Sequence, residues 1–451
     1  MKNFLETLLN IYNIKELRER IGTTLIILLI YRLGAQIVLP GIDSVQLSEL
    51  TSRTDGGGLL GILNAFTGGA FANASVFALG IMPYISASIV VQLMGIAIPY
   101  LQKLQKEGES GRKQLNQITR WLTILICVVQ APAYLYGLSA LGVPDSAFIL
   151  GRGPLFMISS IIILVTGTIF AMWLGEKITD KGIGNGISLL IMVGIIANLP
   201  LSFTQELVSR VSENNGGLML VLIELVLWIV IIVLSILLVM AVRQIPVQYA
   251  RRTAGGANEQ NVFGSRQYIP LKLNASGVMP IIFAQAIMFA PAYLGRFMGD
   301  SDAGQWMQTN FSDIFGLWYN ILFATLIIVF TYFYTAITVP TNKMSDDLKR
   351  SGGFVPGIRP GNETADFLDT VMSHITFPGS LFLAAIAVFP AVVVKLIGMQ
   401  QGWALFYGGT SLLIMVGVAI DTVQQVNSYL LNRHYDGLMK TGKTRRTTTT
   451  S

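Results

Sequence analysis

Ten apolar segments divide this chain, at about 21–39, 77–98, 121–136, 155–174, 183–199, 218–242, 278–292, 317–339, 377–397 and 406–430. Most match the roughly 17–25 residues that cross a bilayer's hydrocarbon core, and the shorter ones contain or adjoin Gly and Pro. Charge is laid out against them in alternation. Of 31 Lys and Arg residues, 25 fall on one side of the zigzag and 5 on the other, with Arg32 inside the first segment. That is the distribution the positive-inside rule demands, and one missed span would scramble it. The pattern predicts an all-α polytopic membrane protein of ten transmembrane helices, with both termini cytoplasmic.

Composition agrees. The chain is 52% hydrophobic and 12% charged, about half the roughly 25% charge of a soluble domain. Its net charge of +6 sits on the cytoplasmic connections and suits anionic headgroups, nucleic acid or an acidic protein face. Cys127 is alone, so no intramolecular disulfide framework or Cys-based metal site is expected. The first segment ends at Pro40-Gly41 without an A-x-A-like site and nine more follow, so it is read as a span and not a cleavable signal.

The spans divide five and five around a connection at 200–217. An odd number per half makes the second half enter the membrane from the opposite side, the arithmetic of an inverted-topology repeat. The expected organisation is a cytoplasmic segment 1–20, a first half 21–199, an external hinge 200–217, a second half 218–430 and a cytoplasmic tail 431–451. Between Pro40 and Phe77 the run 59–74, LLGILNAFTGGAFANA, is too short to span and is broken by Gly68-Gly69. Unpaired backbone groups forbid it to face lipid. It either folds back into a protein-lined cavity or lies flat as an outer turn. Two cytoplasmic connections are long, 243–274 and 341–376. The second carries Phe354-Val355-Pro356-Gly357-Ile358-Arg359-Pro360-Gly361, punctuation that predicts a rigid, sharply turned tip holding Arg359 outward.

Enzyme chemistry is not written here. The two histidines, His374 and His434, lie near the cytoplasmic side, and no nucleotide loop, metalloprotease helix or nucleophile elbow occurs. Within or near the spans the ionisable groups are Arg32, Glu224, Lys395 and Asp421. The last three lie toward span ends, where snorkelling is cheap. Arg32 lies deeper and calls for a carbonyl or another helix as partner. A secondary transporter with inverted repeats would want a midplane carboxylate, and an intramembrane enzyme a nucleophile–base or Asp pair at depth. The enclosed pathway, if any, is mostly uncharged.

Six blocks spread along the chain carry a resemblance. They are Pro40-Gly41-Ile42-Asp43, the run from Phe77 to Ser88, Lys106 to Arg112, Gly182 to Ser188, Phe354 to Gly361, and Gly408 to Ile414. Together they resemble the SecY family, channel-forming subunits of the bacterial Sec protein translocon, over nearly the full length and in the right order. The resemblance implies a clamshell of two inverted five-helix halves in the bacterial inner membrane. It implies a passive, non-enzymatic pore without cofactors, crossed by signal peptides and nascent chains. Implied partners are the small subunits SecE and SecG, the SecA motor ATPase, the ribosome and membrane lipids.

Mapped block by block, the family's pore ring falls on Ile81, Ile85, Ile187, Ile191, Ile282 and Ile414. Six stiff β-branched side chains suit an apolar constriction that dewets and resists ions. The family's plug falls on 59–74, with Leu59, Leu60, Ile62, Leu63, Phe66 and Phe71 as its apolar residues, which favours the re-entrant reading. Its lateral gate implicates Gln92, Asn274, Gly277 and Pro280. Partner docking falls on Arg251, Arg252 and Arg359, because basic groups suit rRNA phosphate and Arg suits a bidentate carboxylate. The loop after Arg252 is less basic than the family's usual one, and Gln244 stands where a basic residue is common.

Overall fold

Each of the ten apolar segments folds as a helix in the computed structural model, which describes residues 14–43, 64, 66–140, 147–149, 151, 153–212, 217–249, 267–298 and 301–444. In chain order the elements are α1 (Lys15–Gly34), α2 (Met82–Ala97), α3 (Pro99–Lys106), α4 (Glu109–Ala140), α5 (Pro154–Lys181), α6 (Gly186–Ser212) and α7 (Gly217–Met240). There follow β1 (Val242–Tyr249), β2 (Gln267–Lys272), α8 (Met279–Phe297), α9 (Asp302–Ser312), α10 (Leu317–Thr338), α11 (Thr341–Arg350) and β3 (Gly353–Phe354). The chain ends with α12 (Asn362–Ile397), α13 (Gln401–Ala404) and α14 (Gly409–Thr444).

Among the described residues seven runs, containing α4, α5, α6, α7, α10, α12 and α14, are long and apolar enough to cross a membrane. An eighth forms if the pair α2–α3, bent by 103°, counts as one span. The bend follows from Pro99 at the start of α3, which forces Ile98 into extended geometry. α1 carries Lys15, Glu16, Arg18, Glu19 and Arg20 before its apolar run, which shortens the stretch that lipid can cover. The protein is therefore a multi-pass, mostly helical membrane protein.

The chain separates into two compact units. The first holds Met1–Val208 with Gln401–Trp403 and Val418–Ser451; the second holds Ser209–Gln400 with Ala404–Gly417. The division falls inside the connection expected to be the hinge, although α6 runs on through Pro200 to Ser212 and leaves only 213–216 between helices, outside the described residues.

In the first unit a buried cluster gathers Leu39, Ile42, Ala78, Leu79, Leu135, Leu138, Phe148, Phe156 and Leu164. Two isolated antiparallel bridges, Val38 to Ser75 and Ile42 to Phe148, tie the chain after α1 to it. In the second unit α12 carries Pro390, which denies the Ile386 carbonyl its helical donor. Gly408 packs at that place, where any side chain would run into the Ile386 carbonyl and the Pro390 ring.

One expectation needs amending: the protein is not purely helical. The two long connections, 243–274 and 341–376, fold together into a three-stranded sheet of order β2-β1-β3. β1 pairs antiparallel with β2 from Val242–Lys272 to Val247–Gln267, and with β3 through Gln248–Phe354 and Tyr249–Gly353. Pro246 and Pro270 are tolerated because β2 is an edge and β1 has only one neighbour at that level.

A second correction concerns Glu224. It does not snorkel. Its carboxylate is 1% exposed and lies 2.8 Å from the Arg210 guanidinium, itself 6% exposed. Arg210 also donates to the Ile397 carbonyl at 3.2 Å, so the pair ties the start of the second unit to the end of α12. Removing one member of such a pair strands a buried charge at about 3–5 kcal/mol, whereas replacing both by apolar residues is close to neutral. Glu224→Ala should therefore unfold at clearly lower temperature in detergent, and Arg210→Met with Glu224→Leu should recover most of the loss in the same thermal melt.

Candidate functional site

The expected pore residues are divided between the two units. Ile81 (4% exposed) immediately precedes α2, whose first turn carries Ile85; the Ile85 amide donates to the Ile81 carbonyl at 3.1 Å. Ile187 and Ile191 lie one turn apart on α6, the first half-buried and the second 5% exposed. These four belong to the first unit. The second contributes Ile282, half-buried on α8, and Ile414, 1% exposed on α14.

The segment that precedes α2 is seated within the first unit. Leu59, Leu60, Ile62 and Leu63 lie outside the described residues, whereas Phe66 is buried and Phe71 packs edge-on against Tyr134 at 4.9 Å between centroids. This part is a run of turns, and its backbone is satisfied by side chains, as burial requires. Asn64 caps it locally, its Oδ1 accepting from the Ala72 amide at 3.0 Å. Three donors from three helices then reach carbonyls. Arg32 of α1 donates to Gly68 at 2.6 Å, Asn198 of α6 to Asn64 at 3.2 Å, and Tyr134 of α4 to Phe71 at 2.7 Å. Of the two readings, the described part is not a turn lying flat on the surface, because α1, α4 and α6 all hold it.

Backbone meets backbone where it touches α6. Gly68 has φ +65°, and a Cβ there would meet the Gly194 Cα at 2.8 Å and the Arg32 Nη1 at 2.7 Å. A Cβ on Gly194 would meet the Phe66 carbonyl at 2.6 Å. Glycine is required on both faces of the contact.

The four expected gate residues are all described. Gln92 bonds within its own helix, its Nε2 donating to Ser88 Oγ at 3.3 Å. Asn274 is 6% exposed and its Oδ1 accepts from Ser276 Oγ at 3.1 Å. Gly277 takes φ +64° in the turn that enters α8, and Pro280 is its second residue. The sequence reading overlooked Gln285, 3% exposed, which donates to the Tyr319 hydroxyl of α10 at 3.0 Å. It also overlooked Asn198 and Tyr134. An Asn or Tyr in an apolar run carries no mark of its partner, so only Arg32, by the expense of its charge, could have been singled out.

Of the docking residues, Arg251 and Arg252 lie outside the described residues. Arg359 is held outward as expected: its side chain is 87% exposed and stands 3.8 Å from Glu363. Its tip is anchored underneath. Ser345 Oγ donates to the Gly361 carbonyl at 2.6 Å and Thr364 Oγ1 to the Arg359 carbonyl at 2.8 Å. Below these bonds both long connections share one apolar core of Ile245, Val247, Leu271, Leu348, Val355 and Leu368. An exposed cation on a rigid, independently cored platform can engage phosphate or carboxylate without ordering a loop first. Leu368 is fully buried, and truncating such a residue costs about 2–5 kcal/mol. Leu368→Ala should make the 341–361 segment cleavable by trypsin in mild detergent, while the membrane helices stay protected.

Residues 75–423 match the SecY family model. The chain is 38% identical to the protein translocase subunit SecY of Bacillus licheniformis over 440 residues, covering 96% of this chain and 99% of the relative. It is 40% identical to that of Halalkalibacterium halodurans over 444 residues, at 96% and 99% coverage. Among solved structures the fold is similar to a protein-conducting channel (TM-score 0.59, 16% identity, 91% of this chain and 92% of that one). It is also similar to a SecY channel described with a plug domain that stabilises its closed state (TM-score 0.61, 16% identity, 91% and 92%). A third likeness is Sec61 in a canine ribosome–channel complex (TM-score 0.55, 16% identity, the same coverages). A relation this close, along nearly the whole chain, places it in the SecY family.

Proposed function

We propose that this protein is the central channel of a Sec-type translocon in a bacterial inner membrane. It passes secretory polypeptides across the bilayer and releases membrane segments sideways. The observation that carries the reading is the full-length relation to translocase subunits at 37–40% identity. The segment seated at 64–75 beside Ile81 gives it a structural counterpart. In this reading ten spans form two inverted halves with both termini inside, as the alternation of basic residues implies. Ile81, Ile85, Ile187, Ile191, Ile282 and Ile414 close one apolar ring, and 59–74 is the plug.

Chemistry follows from the composition of that path. An apolar constriction excludes ions by dewetting and makes no demand on the sequence that slides through it. A hydrophobic signal segment partitions sideways because transfer into lipid favours each Leu-type residue by up to about 0.6 kcal/mol at the helix centre. The gate on this reading involves Gln92 on one side and Asn274, Gly277 and Pro280 on the other. The channel supplies no energy. SecA with ATP, or the translating ribosome, docks on the cytoplasmic loops through Arg251, Arg252 and Arg359 and drives transport, with SecE and SecG as accompanying subunits.

Co-reconstitution with SecE, SecG, SecA, ATP and a secretory precursor is the test. The precursor should become protease-protected inside vesicles, and failure to protect it would sink the proposal. Arg359→Glu should lower SecA-driven protection at least about tenfold, since reversing a docking charge costs more than 1.4 kcal/mol; undiminished transport would remove Arg359 from the docking surface. Ile282→Asn or Ile414→Asn should raise resting conductance in planar bilayers, because an amide wets the constriction.

A further inference from the structure

Arg32 is a charge in the apolar run of α1, and such a residue is expensive in a membrane unless it does something there. No carboxylate among the described residues forms an ion pair with it. Its Nη1 instead donates to the Gly68 carbonyl at 2.6 Å. Gly68 lies in the segment seated between α1, α4 and α6, and it is wedged against Gly194 on its other side. We propose that Arg32 is the positioning residue of the channel's seal, a charged latch that holds the base of the plug by its backbone. The inference rests on the plug assignment of the preceding section and names what keeps that plug seated.

Three features argue for a latch rather than an ordinary buried hydrogen bond. First, three side chains from neighbouring helices hold the segment by its carbonyls: Arg32 on Gly68, Asn198 on Asn64, Tyr134 on Phe71. These hydrogen bonds read backbone, beside the apolar packing of Phe66 and Phe71. Second, the grips are unequal. A hydrogen bond from a guanidinium is roughly twice as strong as one from a neutral amide or phenol, so Arg32 is the grip whose loss matters most. Third, the contact is backbone on backbone at Gly68 and Gly194. That spot has no side chain of its own to hold it down, whereas Phe66, Ala70, Phe71 and Ala74 are held by apolar packing. At Gly68 itself the hold is the Arg32 hydrogen bond.

The geometry also says which part of the plug moves least. Asn64 to Ser75 is tied to α1, α4 and α6, and the Ser75 bridge to Val38 fixes its far end. The latch sits in the middle of this tied stretch, so releasing it loosens the base.

The experiment compares wild type, Arg32→Met, Arg32→Lys and a deletion of 59–74, each co-reconstituted with SecE and SecG in planar bilayers. Resting conductance is measured, with precursor transport followed on the same preparations to report assembly. In a Cys127→Ser background, Asn73→Cys reports whether the seat has opened, by labelling with a membrane-impermeant maleimide. Arg32→Met should raise resting conductance about tenfold or more and increase labelling at position 73, because one charge-assisted hydrogen bond is lost. Arg32→Lys, which keeps a cationic donor, should stay within about threefold of wild type, an outcome that a merely space-filling role for the guanidinium would not produce. Wild-type conductance and labelling in Arg32→Met, with the deletion leaky, would overturn the latch and leave the plug intact as an assignment. A deletion as tight as wild type would overturn the plug reading itself. Should Arg32→Met fail to accumulate, Arg32→Gln takes its place, and a tight Arg32→Gln channel with unlabelled position 73 counts equally against the latch.

Discussion

A bilayer core contains no water, so every peptide group at that depth must find its partner inside the protein. Regular helices meet this demand by themselves. The rest of the structure is organised around the places where a helix stops short. The turns at 64–81 survive because Arg32, Asn198 and Tyr134 reach out to their carbonyls and Asn64 caps them from within. Pro390 survives in α12 because Gly408 lets the chain close over the carbonyl that proline leaves unbonded. Each irregularity is enclosed by protein, and each lies in or beside a stretch the resemblance assigns to the channel.

Charge follows the same economy. Among the described residues the buried charged side chains are Glu206, Arg210 and Glu224, with Arg210 on Glu224 and the Ile397 carbonyl, and the partly buried Arg32 is on a carbonyl. The basic residues gather in the connections, where a small folded platform raises Arg359 into solvent. On the proposed reading, a neutral conduit and a charged gripping face are separated by depth. That separation suits a pore that must take nearly any sequence while being driven from one side.

How much of this could be read beforehand depends on the range of the interaction. Each apolar segment became a helix, since twenty apolar residues in a row have few alternatives. The outward Arg359 was legible too, because Pro fixes φ and Gly permits the positive φ that Gly357 and Gly361 adopt. The sheet joining the two long connections was not. It pairs Tyr249 with Gly353, about a hundred residues apart, and Pro246 and Pro270 argue against strands until the edge positions are known. Glu224 was misplaced for the same reason: its partner sits across the break between α6 and α7, and nothing local announces it.

By itself, then, the sequence determined the apolar segments that become helices, the scarcity of charge within them and the family. Those properties are set by composition and short-range order, which survive without coordinates. Only the tertiary structure decided that Arg32 holds Gly68, that Gly194 must be bare to admit it, and that Ile81 and Ile85 follow a segment bound by its carbonyls. Carbonyls are common to every residue. A contact that reads backbone leaves no signature in the side chains it holds, and the fold alone can reveal it.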